Sequence, residues 1–163
     1  MSPDLVPDLI QSLIRLLAAT VAGAVIGANR EITLKPAGLR THALVSLGSA
    51  LMTVTALQLG AGDPRVNAEA TSRVIQGMIA GIGFLGGGVI LHKDGRNVKG
   101  LTTAATIWVA AGLGVACGIG RWRIAAIAVV IALAVLVLGQ GVESALHRHQ
   151  PQDTEPEQPP RQT

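Results

Sequence analysis

The chain keeps its charge out of five long stretches, and that restriction decides the solvent in which it can fold. Residues 16–28, 41–62, 74–91, 101–120 and 124–141 contain no Lys, Arg, Asp or Glu. Several of these runs reach the roughly 20 apolar residues that cross a hydrocarbon layer as a helix, and the shorter ones reach it with their neighbours. A soluble helical bundle needs charged outer faces, which such segments lack. Hydrophobic residues make up an ordinary 49% of the chain, but charged residues only 14% against about 25% in soluble domains, and the mean hydropathy is +0.48. The sequence therefore predicts an all-α integral membrane protein. It is expected to be a compact bundle of five transmembrane helices in the lipid bilayer, near residues 9–28, 39–59, 72–92, 101–119 and 122–145. Asp4 and Asp8 stand where a cleaved leader would carry basic residues, so the first segment is read as a retained span.

Orientation follows from the cations. Arg30, Lys35 and Arg40 flank the first connection, and Lys93, Arg96 and Lys99 the third, which predicts that both are cytoplasmic. Arg65 and Arg73 on the other side are balanced by Asp63 and Glu69, whereas Arg121 and Arg123 run against the rule. Five spans then leave the N-terminus outside and the C-terminus cytoplasmic. Residues 1–146 form one membrane domain in this reading, and 147–163, polar and proline-rich, form a disordered tail.

Several chemistries are disfavoured. Cys117 is the single cysteine, so neither an internal disulfide nor a thiolate metal site is expected. The basic residues lie in short loops, and Phe84 is the single Phe or Tyr available to stack on a base, so no nucleic-acid partner is expected despite a pI near 9.8. No nucleophile, base and orienting group occur together, no HExxH pattern exists, and the GIGFLG string follows no strand. The expectation is a protein that is not an enzyme and has no cofactor and no metal ligand set.

Glycine and hydroxyl residues carry the remaining signal. Membrane helices associate where small residues let backbones approach, and Gly23/Gly27, Gly77/Gly81, Gly83/Gly87 and Gly114/Gly118 have that spacing. They mark either internal packing or a homo-oligomer, a dimer, formed through Gly23 and Gly27. Gly81, Gly83, Gly86, Gly87 and Gly88 surround the third helix instead of marking one face, which allows dense packing or a bend or break. His42, Ser46, Ser49 and Thr53 are spaced four, three and four apart and form one stripe on the second helix, while Thr102 and Thr106 lie four apart on the fourth. Their hydroxyls either bond the preceding turn or a neighbouring helix, or line a cavity open to the cytoplasm. The residues assigned to that cytoplasmic mouth are Arg30, Glu31, Lys35, Arg40, His42, Asp94, Lys99 and Thr102, with Asp94 paired to one of the cations.

Four blocks resemble the MgtC/SapB family of bacterial inner-membrane proteins: GAVIGANRE at 23–31, KPAGLRTHALVSLGSAL at 35–51, RVIQGMIAGIGFLGGGVI at 73–90 and VKGLTTAATIWVAAGLG at 98–114. The resemblance implies a five-helix fold and a regulatory role in growth under magnesium limitation and in survival inside host cells. It also implies action on a membrane protein partner such as the proton-translocating ATP synthase. Longer members carry a soluble C-terminal domain, and the chain is expected to be a short form without it. Some members needed for virulence have asparagine at the place of Thr102, cysteine at that of Val109 and glutamate at that of Asp94. A transporter or channel for a divalent cation or small solute is the competing expectation. It is disfavoured because no carboxylate lies at midplane depth.

Overall fold

A computed structural model describes residues 5–59, 63–93 and 97–147. Its elements are α1 (Leu5–Ile32), α2 (Leu39–Leu59), α3 (Pro64–Val89), β1 (Leu91–Lys93), β2 (Asn97–Lys99), α4 (Leu101–Ile119) and α5 (Trp122–His147). Four helices are long and apolar enough to cross a membrane, over Asp8–Ile32, Leu39–Leu59, Leu101–Ile119 and Trp122–Gly141. The described residues are all-helical apart from a short ribbon and the connections. Asp94 and Arg96, and the tail from residue 148, lie outside the described residues.

The third helix departs from the expected bounds. It opens eight residues before residue 72, at Pro64, because its start is capped: Asp63 accepts the Arg65 N–H at 2.8 Å, and proline fills the first turn, where a missing N–H costs nothing. Glu69 and Arg73 then form an i,i+4 ion pair at 2.7 Å on the exposed side. The helix runs regularly to Val89, so Gly81, Gly83, Gly86, Gly87 and Gly88 lie within unbroken α-helix. The ribbon was not expected. Its antiparallel register pairs Leu91 with Lys99, His92 with Val98 and Lys93 with Asn97.

α2 packs against α1, α4 and α3, and α4 also contacts α1 and α3. These elements belong to a compact unit ending at Leu133, and the later part of α5, from Ala134, belongs to a second. The core holds Ala19, Ile26, Ala50, Ile107, Ala110 and Leu113, while Leu13, Leu17, Val21, Leu44 and Leu51 point outward. That inverted economy suits lipid, in which apolar side chains gain nothing by burial and close packing at small residues joins the helices.

Glycines make the closest crossings. A methyl group on Gly23 of α1 would stand 2.7 Å from Ser46 Cβ and strike the His42 carbonyl, and one on Gly27 would stand 2.6 Å from Leu39 Cα. On α4, a methyl on Gly114 would lie 2.7 Å from Ser49 Cβ and strike the Ser46 carbonyl, and one on Gly118 would lie 2.8 Å from Thr53 Cβ. Gly23 and Gly27 are thus spent on α2 of the same chain, which corrects their assignment to a face between copies. On α3 the same test finds open space at Gly77, Gly81, Gly83, Gly87 and Gly88, and only Ala104 at 3.6 Å from Gly86.

Candidate functional site

The polar stripe of α2 faces inward. His42, Ser46, Ser49 and Thr53 are all buried, and each helix that meets them does so through a small residue. His42 has no exposed surface. Its Nδ1 lies 3.0 Å from the Gly38 carbonyl, one turn earlier, and its Nε2 lies 2.9 Å from Thr106 Oγ1 on α4. A carbonyl only accepts, so Nδ1 carries a proton. In a neutral ring Nε2 then accepts from the Thr106 hydroxyl, which otherwise donates to the Thr103 carbonyl at 2.9 Å.

Arg30 sits beside this pair, in the last turn of α1 and only 3% exposed. Its Nη2 donates to Thr103 Oγ1 at 2.7 Å, and its Nε is buried without an acceptor among the described residues. The C-terminal end of α1 favours a cation there. The α4 partner is thus Thr103, one residue from the expected Thr102, which is exposed; Thr103 and Thr106, three apart, share the inward face.

Glu31, the next residue, is exposed and performs a different task. Its Oε2 accepts the Leu39 N–H at 3.0 Å and so caps the start of α2 from the end of α1. The intervening connection carries Leu34 and Ala37 at φ of 53° and 55°, a left-handed conformation that costs a non-glycine residue about 1–2 kcal/mol. The Lys35 N–H returns to the Arg30 carbonyl at 2.9 Å, and the absence of a side chain at Gly38 makes room for the Glu31 carboxylate. Lys35, Arg40 and Lys99 are exposed. Glu31, Lys35 and Arg40 share an open surface depression of about 410 Å³. The expected mouth therefore divides into a buried part, Arg30 and His42 with Thr103 and Thr106 of α4 as their partners, and an exposed rim.

Sequence reasoning passed over Arg15. Its Nη1 donates to the Gly118 carbonyl at 3.0 Å, and its guanidinium lies over Gly120, which ends α4 at φ 86°. A cation at a helix C-terminus meets the orphan carbonyls there. Arg15 and Arg30 are fifteen residues apart on α1, as are Gly118 and Thr103 on α4, so two guanidiniums clamp an antiparallel helix pair at both ends. The available signal was an arginine placed inside the first predicted span.

A comparison with known families matches residues 16–145 to the MgtC family. The chain belongs to that family. It is 45% identical over 117 residues to protein SrpB of Synechococcus elongatus, covering 68% of this chain and 64% of that one. It is 42% identical over 112 residues to protein MgtC of Salmonella typhimurium, covering 69% and 45%, and 44% identical over 112 residues to protein MgtC of Brucella abortus, covering 69% and 44%. The aligned segment thus spans about half to two thirds of these relatives' length. No solved structure matches. The MgtC match includes Arg30, His42, Thr103 and Thr106, and begins one residue after Arg15.

Proposed function

We propose that this chain is a regulatory protein of the bacterial inner membrane that supports adaptation to magnesium limitation by acting on a membrane protein partner. In this reading it is not an enzyme, and α3 is the fifth span. The N-terminus lies outside, and the Arg30 end of the bundle, with Lys35, Arg40 and Lys99, faces the cytoplasm. The observation that carries the reading is the closure of the polar stripe. Gly23 and Gly114 bring α1 and α4 against the backbone of the same turn of α2, and His42 and Arg30 are bonded to α4 threonines, so these two side chains join helices. Thr53 bonds back to the Ser49 carbonyl, and Ser46 Oγ is buried without a partner among the described residues. The magnesium link is what the resemblance to the family implies, and membership of the family supports it. A homodimer is also proposed, with Gly23 and Gly27 excluded from its interface.

The test pairs two measurements on the full chain. Expressed in a bacterium lacking its own MgtC, it should restore growth at limiting magnesium; purified into liposomes alone, it should give no flux of Mg²⁺ or other divalent ions. Flux from the protein alone would replace this reading with the transporter. For orientation, a cysteine at Asn97 should be labelled from the cytoplasm and one at Asn67 from the periplasm, with the buried Cys117 as background.

A further inference from the structure

We propose that the first turn of α4 and the Arg30 guanidinium together form a binding site for a phosphate-type anion. The amide groups at a helix start point outward without intrahelical acceptors and carry about half a positive charge. In α4 this end has no side-chain cap: its N-cap is Gly100, at φ 93°, where a Cβ would strike the Val89 carbonyl. The position thus excludes the Ser, Thr or Asp that ordinarily satisfies such amides.

A second positive group converges on the same turn. Arg30 is 3% exposed and bonded through Nη2 to Thr103 Oγ1, with a buried Nε that has no acceptor among the described residues. The ion pair found among those residues is Arg73–Glu69, so no carboxylate there answers this charge. The same turn thus carries a buried guanidinium and an uncapped helix start, two positive ends that an anion lying between them would satisfy together. Thr103, accepting from Arg30, keeps its own hydroxyl proton to donate, and exposed Thr102 and Lys99 add a hydroxyl and an ammonium on the open side. Amides, hydroxyls, a planar guanidinium and a flanking ammonium are the donor set that phosphate oxygens take at helix starts. The phosphate comes either from an anionic lipid headgroup or from solution.

Thermal midpoints of the full chain in nanodiscs separate these sources. One arm titrates inorganic phosphate into phosphatidylcholine discs; the other replaces phosphatidylcholine with phosphatidylglycerol in phosphate-free buffer. A raised midpoint in the first arm identifies free phosphate, and one in the second arm alone identifies the headgroup. Thr103→Val and Arg30→Lys should each weaken the half-saturating response about tenfold, the loss of one charge-assisted hydrogen bond, whereas Arg121→Gln should not change it. No response in either arm, or a response that survives both substitutions undiminished, overturns the site. Should Arg30→Lys fail to fold, Thr103→Val, which alters one hydroxyl, decides alone.

Discussion

Gly23 of α1 and Gly114 of α4 press on the same turn of α2, that of Ser46, from two sides. Neither has room for a methyl group, because part of what each meets is backbone. Gly114→Ala and Gly23→Ala should therefore each destabilise the bundle by about 1–3 kcal/mol, the usual cost of overpacking. Gly77→Ala and Gly81→Ala, which face open space, should leave the thermal midpoint in detergent unchanged or raised. Equal midpoints for the two pairs would refute this account of the crossing.

Thr102 and Thr103 offer a one-residue contrast. Thr103→Val leaves Arg30 buried without its hydroxyl acceptor and should cost about 1–3 kcal/mol, while Thr102→Val, on the exposed side, should be near neutral. Reversible unfolding in mixed micelles reads both. The opposite ranking would mean that α4 is rotated by one residue from the orientation described.

Glu31 and Gly38 should behave as a coupled pair. Glu31→Ala removes the acceptor for the Leu39 N–H and should cost about 1 kcal/mol, as losses of helix caps do. Gly38→Ala puts a methyl 2.8 Å from the same carboxylate oxygen. In the double variant the second change has little left to disturb, so a double-mutant cycle should show less than additive losses. Strict additivity would separate the two residues.

Arg15→Ala should loosen the end of α4, with a loss of about 1.5–3 kcal/mol for a charged hydrogen bond to the Gly118 carbonyl, and Arg15→Lys should recover part of it. Hydrogen exchange at the last turn of α4 should rise in the alanine variant; unchanged protection there would refute the clamp.

The inward stripe of α2 was legible because four polar residues at helical spacing fix a phase. The α4 face was misread by one residue, since two adjacent threonines in an otherwise apolar helix leave the phase open and only the partner Arg30 selects between them. The start of α3 was missed because Arg65, Glu69 and Arg73 look like a loop until Asp63, Pro64 and the i,i+4 pair are taken as helix-start signals. Arg15 went unread because its partner, a backbone carbonyl 103 positions away, leaves no mark on composition or spacing. The ribbon has three-residue strands, too short for alternation to register.

The two arginine clamps also act as a ruler. Fifteen residues of helix place Arg15 and Arg30 about 22 Å apart, less than the hydrocarbon thickness of about 30 Å. Each guanidinium meets its acceptor inside the helix pair, so neither charge needs a headgroup partner at that separation. Lengthening or shortening either helix by one residue would turn one guanidinium by about 100° away from its acceptor. The pair thus fixes the register of α1 against α4 at two points about 22 Å apart, so that a slip at one end must break the bond at the other.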